Sequence, residues 1–91
     1  MVLQILNASD GPDPQAIVQQ IRDAIAAKIP AADIQVDPKG PGHFEIRVTS
    51  AVFEGQKRVK QHQLVYGAIW HLMTGNEPPV HAIDRLDCVV P

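Results

Sequence analysis

Apolar residues recur at helical spacing between residues 52 and 73, which is the longest pattern of this kind in the chain. One broad arc of the helical wheel collects Val59, His62, Val65, Tyr66, Ile69, Trp70, Leu72 and Met73. We predict the longest helix of the chain here. A connector at residues 51–56 leads into it, and Gly75 ends it as a left-handed cap before two prolines.

A second amphipathic pattern lies nearer the N-terminus. Asp13 can cap a helix whose first turn contains Pro14, where a missing N–H costs nothing. Apolar side chains then return at helical spacing at Ile17, Ile21, Ala24, Ile25 and Ile29. Because Pro30 stops this run, we predict an amphipathic helix that ends there and lies on a sheet.

Alternating apolar and polar residues indicate three strands. Residues 33–37 and 43–49 should form an antiparallel hairpin, joined by a turn-rich connection at residues 38–42. A last strand begins near Val80, but the charged residues at positions 84, 85 and 87 break its alternation. We therefore expect a bulge or an edge position in this strand.

The order of these elements predicts an α+β fold with the sequence α-β-β-α-β. A strand–helix–strand connection in one sheet is nearly always a right-handed crossover, which makes the last strand parallel to the one that begins at His43. The result is a three-stranded mixed sheet with helices packed on one face. Ninety-one residues make a single domain, 1–91, in which residues 1–12 are expected to be a loosely ordered N-terminus.

Composition and charge exclude several classes of protein. No stretch approaches the roughly 18 apolar residues of a membrane span, and the N-terminus lacks the basic start of a signal peptide, so we expect a cytoplasmic protein. A net charge of −2 gives no overall attraction to nucleic acid. The single cysteine, Cys88, excludes an internal disulfide and is expected to be a small buried or edge hydrophobe. We expect no enzyme, because no nucleophile–base spacing is present.

Four histidines carry the clearest site chemistry. His62 lies within the apolar arc, where a neutral ring bonded to a backbone carbonyl is expected, and His71 lies on the solvated side. His43 and His81 would start neighbouring parallel strands at the same end of the sheet. Two imidazoles there could share a metal. Spacing alone favours two unrelated surface histidines, since a bare pair leaves a four-coordinate site half filled.

Four short blocks follow the order and spacing of a known family: Phe53-Glu54-Gly55, Arg58-Val59, Gln61-His62-Gln63-Leu64-Val65-Tyr66 and Val80-His81-Ala82-Ile83. In these blocks the chain resembles the BolA family, over about residues 17–83. The resemblance implies the fold that BolA proteins share with the second class of KH domains. It also implies a monothiol glutaredoxin partner and a shared, bridging [2Fe–2S] cluster, for which the glutaredoxin cysteine and a glutathione thiol supply two ligands.

The resemblance also implies which residues of this chain act as ligands. The C-terminal histidine of the family maps to His81, and the histidine or cysteine of the loop before the second strand maps to His43, as in the histidine-bearing branch. Residues 39–42 would give that loop the freedom to bring His43 to the iron. No cluster is expected on the isolated chain, and a homodimer is left open. The implied function is that of a non-enzymatic partner in iron–sulfur assembly, iron sensing or redox regulation.

A basic cluster at the start of the main helix supports a rival function. Lys57, Arg58 and Lys60 follow Gly55, and a helix N-terminus preceded by glycine can bind phosphate. Some BolA-like proteins are described as transcription regulators, so DNA binding is the alternative. The Gly-x-x-Gly loop of KH domains lacks its second glycine here. The pattern therefore favours a solvated basic face, which would help to dock an acidic partner surface.

Overall fold

Five regular elements follow one another in the computed structural model, which describes residues 13–91. They are helix α1 (Pro14–Lys28), strands β1 (Asp33–Gly40) and β2 (His43–Thr49), helix α2 (Arg58–Ile69) and strand β3 (Ala82–Val89). Short 3₁₀ turns at Ala51–Phe53 and Trp70–Leu72 flank α2. The order confirms the predicted α-β-β-α-β sequence. The N-terminal segment 1–12, predicted to be loosely ordered, lies outside the described residues.

The sheet has the predicted mixed topology. β2 is the central strand, with β1 antiparallel on one side and β3 parallel on the other. Alternate residues of β2 face the helices and are almost completely buried, namely Phe44, Ile46 and Val48. They form one hydrophobic cluster with Ile21 and Ile25 of α1 and with Val65 and Ile69 of α2. The helices and the core therefore lie on one face of the sheet.

Helix α1 begins as the sequence predicts. Asp13 Oδ1 accepts the backbone N–H of Gln15 at 3.1 Å, and Pro14 is the first helical residue. The helix ends at Lys28, two residues before Pro30. Within residues 13–91, every helix falls short of the length and apolar character that crossing a membrane requires.

The helix in residues 52–73 is shorter than predicted. It has 12 residues, whereas α1 has 15 and is the longest helix in the described part of the chain. Gly55, at φ +76°, separates the first 3₁₀ turn from α2, and Trp70–Leu72 tightens into the second. Val59 and Trp70, both on the predicted apolar arc, are 63% and 59% exposed. A helix of three turns on a sheet buries only a narrow stripe, so the ends of the arc stay in solvent.

The β1–β2 connection is tighter than the predicted loop. β1 continues to Gly40, which pairs with His43, so only Pro41 and Gly42 form the turn. Gly42 has φ +75°, a left-handed conformation that glycine adopts without strain and that, directly after a proline, matches a type II turn. Backbone pairing thus fixes His43 in the sheet. The predicted freedom of residues 39–42 to carry His43 toward an iron atom is wrong.

Strand β3 has both of the features that its broken alternation predicts. It lies at an edge of the sheet, and it contains a bulge. Phe44 of β2 pairs with Ile83, but the next residue, Glu45, pairs with Arg85. Asp84 is consequently an extra residue without a partner in the ladder. The strand itself begins at Ala82, slightly later than predicted.

The charges in β3 explain why the bulge forms. In a regular ladder Arg85 and Asp87 would point toward the helices, where burial of their charges would cost far more than a bulge. One extra residue turns Leu86 and Cys88 to that side instead, and both pack against the hydrophobic core. It also places Arg85 opposite Glu45, a pair of opposite charges on the open face of the sheet.

Alanine substitutions in β3 test this register. Leu86→Ala should lower the free energy of unfolding by about 1–3 kcal/mol, because the leucine is half-buried against the core. Asp87→Ala should change it by less than about 0.5 kcal/mol, because the partner of Asp87 within residues 13–91 is the exposed side chain of Arg85. Urea denaturation measures both values, and a larger effect for Asp87 than for Leu86 would contradict the bulged register.

Candidate functional site

His43 and His81 lie on backbone segments that meet at one end of the sheet. His43 pairs with Ala82, the residue after His81, where the parallel β2–β3 ladder begins. The N–H groups of His81 and Ala82 both donate to the carbonyl oxygen of Gly42, at 2.8 and 3.0 Å. The structure therefore brings the two histidines to a common edge. We call this edge the histidine rim and define it by Gly42, His43, His81 and Ala82.

A carboxylate holds the ring of His43. Its Nδ1 lies 2.9 Å from Oδ1 of Asp84, the bulged residue of β3. An ionised carboxylate only accepts hydrogen bonds, so Nδ1 carries the proton and the lone pair of the neutral ring is on Nε2. A histidine that donates from one nitrogen to a carboxylate is the usual arrangement at metal centres, where the other nitrogen binds the metal. In the sequence Asp84 is recognisable only as a charge that interrupts β3, and its bond to His43 is not predicted.

Glycine at position 42 makes room for the ring of His81. A Cβ atom at Gly42 would lie 2.6 Å from both Cγ and Nδ1 of His81, far inside van der Waals contact. The ring is solvent-exposed and lies directly over the backbone of the hairpin turn. Glycine is therefore favoured at position 42 both by the positive φ and by the close approach of the His81 ring. In the sequence Gly42 is recognisable only as part of a turn-rich connection.

The donor groups at the rim are two imidazole side chains. Residues 13–91 hold no group of three or more His, Cys, Asp and Glu side chains that could bind a metal ion. Two exposed imidazoles can fill two positions of a tetrahedral iron, as a histidine pair does in some [2Fe–2S] centres. This donor set therefore fits a metal centre whose remaining ligands come from a second protein. It does not fit a centre enclosed by these residues alone.

The other two histidines have different surroundings. His62 is half-buried and lines a shallow depression beside Arg58, Cys88 and Val89. The carbonyl partner predicted for its ring is not found among residues 13–91, because the ring is accessible enough to bond to water instead. His71 lies on the 3₁₀ turn after α2 and is exposed, as predicted.

Cys88 is too far from His43 to share a metal with it. It pairs with Val48, and five residues of β2 at about 3.3 Å each separate Val48 from His43 by roughly 16 Å. Cys88 is half-buried, and burial, with a smaller effect from the charge of Asp87, raises the pKa of its thiol to about 11. A protonated thiol is a poor nucleophile and a poor metal ligand. This placement agrees with the predicted small hydrophobe at an edge strand.

The basic cluster Lys57, Arg58 and Lys60 lies at the other end of α2. All three side chains are exposed, and Lys57 makes no capping hydrogen bond with its side chain. The far end of α2 leads to the rim, since the carbonyl of Leu72 accepts the N–H of Val80 at 3.1 Å, one residue before His81. Twelve residues of helix separate the two ends by roughly 18 Å. The cluster is therefore not part of the histidine rim, and its predicted contact with an acidic partner surface stays a prediction.

The described residues thus form a small mixed sheet with two helices on one face and two exposed histidines at its rim. The profile of the family described as BolA-like protein matches residues 23–86, which is more than half of the chain. The protein belongs to the BolA family. No curated protein sequence matches it.

Solved BolA structures have the same fold. The BolA domain of SufE1 from Arabidopsis thaliana is 20% identical, with a TM-score of 0.67 over 89% of this chain and 96% of that one. BolA1 from Mus musculus is 25% identical, with a TM-score of 0.66 over 88% of this chain and 68% of that one. A bolA homologue from Coxiella burnetii is 27% identical, with a TM-score of 0.65 over 80% of this chain and 88% of that one. These similarities confirm the predicted fold and family, while the likeness to KH domains and to a histidine-bearing branch stays a prediction.

Three glycine substitutions test how the turn positions His81. Gly55→Ala should cost about 1–2 kcal/mol of stability, because its φ is +76° and nothing lies near its Cβ position. Gly42→Ala should cost more and should shift the imidazole signals of His81 in NMR spectra, because the methyl group collides with the ring. Gly40→Ala should be nearly neutral, since its surroundings are open. Equal costs for Gly42→Ala and Gly55→Ala, with unmoved His81 signals, would contradict this packing.

Alkylation by iodoacetamide tests the environment of Cys88. At pH 8 the native protein should react much more slowly than the urea-unfolded protein, because burial raises the pKa of the thiol to about 11 in the folded state. Since the folded pKa is above the ordinary value, the neutral thiol favours the folded state below about pH 9, and this contribution is lost as the pH rises through 11. Equal native and unfolded rates at pH 8 would show an accessible, reactive thiol.

Proposed function

We propose that this BolA-family domain is a non-enzymatic partner of a monothiol glutaredoxin and that His43 and His81 are its ligands to a bridging [2Fe–2S] cluster. The observation that carries the proposal is the histidine rim, where two exposed imidazoles start adjacent parallel segments and one is already bonded to a carboxylate. The glutaredoxin cysteine and a glutathione thiol would supply the other two ligands.

The distribution of donors supports a shared centre. The rim provides nitrogen atoms and no sulfur, while Cys88 lies on the helix side of the sheet with a protonated thiol. A second protein must therefore bring the thiolates. When bound, the cluster would supply one-electron chemistry, and imidazole ligands in place of thiolates raise its reduction potential. That chemistry suits iron–sulfur assembly, iron sensing or redox regulation.

The surface next to the rim is suited to a protein partner. Trp70 belongs to the 3₁₀ turn that bonds to Val80 through Leu72, and it is 59% exposed. Exposed aromatic side chains are enriched at the centres of protein interfaces. We assign Trp70 to the partner contact that brings the glutaredoxin over His43 and His81.

The carboxylates of the sheet support a role outside enzyme catalysis. Asp37, Asp84 and Asp87 each pair with a basic neighbour, Lys39, His43 and Arg85 respectively. General acid–base catalysis would instead need carboxylates that converge on a substrate. The open face of the sheet thus carries exposed ion pairs, which suits a binding surface.

The second candidate function is phosphate binding at the N-terminus of α2. Its first-turn N–H groups have no side-chain cap, and three exposed cations surround them. Such a site would bind the phosphate backbone of DNA through charge, and its affinity for DNA would fall steeply as the salt concentration rises. Because this cluster lies roughly 18 Å along α2 from the rim, substitutions can separate the two functions.

Anaerobic reconstitution with a monothiol glutaredoxin, glutathione, ferrous iron and sulfide tests the proposed function. The wild-type mixture should give a coloured heterodimer, and His81→Ala and His43→Ala should each change its visible absorption and circular dichroism while the apo-heterodimer still forms. Loss of a ligand should increase the rate of cluster loss by roughly tenfold or more. Iron and sulfide analysis after gel filtration measures the cluster content.

Two controls accompany this experiment. His71→Ala removes an exposed histidine next to α2 and should leave the spectra unchanged. The double variant Lys57→Ala/Lys60→Ala should also keep the cluster, whereas salt-sensitive binding to duplex DNA, if present, should disappear with it. Spectra unaffected by both His43→Ala and His81→Ala would contradict the proposed function.

A further inference from the structure

Asp84 is the one residue of β3 that the ladder leaves unpaired. In a regular ladder it would lie opposite Glu45, with two like charges side by side on the open face. The bulge replaces it there with Arg85 and frees the aspartate from the register. Its carboxylate then reaches across to β2 and contacts His43, at a sequence separation of 41 residues.

The exposure of this pair argues against a mainly stabilising role. The side chains of His43 and Asp84 are 48% and 41% exposed, and exposed pairs of this kind add little to the stability of a fold. The bond has a definite effect on chemistry, however. It restrains the ring and selects the nitrogen that keeps its lone pair, since the carboxylate can only accept from Nδ1.

We infer that Asp84 is a positioning residue for His43. It holds the neutral ring with the proton on Nδ1 and presents Nε2 to solvent as the single ligand atom. The inference rests on the proposed function for the identity of the acceptor, which is an iron atom of the shared cluster. The choice of nitrogen is a property of the isolated chain and can be measured without any metal.

Different groups restrain the two histidine rings, so the role of Asp84 is specific to His43. The ring of His81 is confined by the backbone of Gly42, and a glycine offers no side chain that could choose between its two nitrogens. His43 starts a strand and has a carboxylate within hydrogen-bond distance of one nitrogen. Removal of Asp84 should therefore alter His43 and leave His81 as it is.

Long-range ¹H–¹⁵N NMR on the isolated, ¹⁵N-labelled protein tests the choice of nitrogen. Under conditions in which the ring shifts themselves show neutral imidazoles, wild-type His43 should have a protonated Nδ1 and an unprotonated Nε2. Asp84→Ala should give the mixed tautomers of a free ring. Asp84→Asn should select the wild-type tautomer less strongly than aspartate does, because an amide can accept from a protonated Nδ1 or donate to an unprotonated one. Asp87→Ala is the matched control, since it removes a neighbouring carboxylate of the same strand that does not contact His43.

Reconstituted heterodimers test the consequence for the ligand. Asp84→Ala should increase the rate of cluster loss by roughly tenfold, Asp84→Asn should have a smaller effect, and Asp87→Ala should have none. An unchanged tautomer in Asp84→Ala would overturn the inference, whatever the cluster does. A changed tautomer in Asp84→Ala with an unchanged rate of cluster loss would also overturn the inference, provided that His43→Ala accelerates cluster loss. If His43→Ala itself has no effect while the Asp84→Ala tautomer changes, the assignment of His43 as a ligand fails and the orienting role stands.

Discussion

The alternation of side chains in β3 is the constraint on which the rest of this structure depends. A strand that touches helices on one face must turn its apolar residues to that face, and β3 carries charges at three of the four positions 84–87. One unpaired residue reconciles this sequence with the core, because Leu86 then faces the helices while Arg85 meets Glu45. The unpaired residue is Asp84, whose carboxylate is placed beside His43 by the same adjustment.

The connection through α2 determines which groups share an end of the sheet. The helix starts beyond the end of β2 and returns the chain to the start of β3, where buried Val80 and its bond to Leu72 anchor the strand. Both strands of the parallel pair therefore begin at the histidine rim. The thiol of Cys88 and the basic start of α2 are at the other end. The two histidines and the basic residues are thus at opposite ends of the sheet.

Periodicity and topology were enough to predict the elements and the placement of His43 and His81 at the same end of the sheet. The 3.6-residue pattern identifies α1, the two-residue pattern identifies β2, and the handedness of the crossover orients β3. The predicted α2 is too long, because an apolar arc on a helical wheel does not show how many of its residues the sheet can cover. Val59 and Trp70 satisfy the pattern and remain in solvent.

Sequence patterns could not predict the contacts that shape the site, because these contacts join residues that are far apart in the sequence. The extension of β1 to Gly40 depends on pairing with β2, and proline and glycine in the connection suggested a longer loop. The bond between His43 and Asp84 depends on where the bulge falls in the ladder. The sequence offered one signal for it, since the break in alternation begins at the aspartate itself.

The two histidines are restrained by different means, and the difference bears on how a partner could use them. A ring that packs over a glycine is limited in position but keeps either nitrogen available, whereas a neutral ring bonded to a carboxylate is limited in both position and tautomer. Both restraints reduce the conformational freedom that the side chains would lose when a second protein binds. Neither adds much to the stability of the fold, since the rings are exposed. Restraint of these exposed rings therefore lowers the entropic cost of a contact that they make and leaves the stability of the fold nearly unchanged.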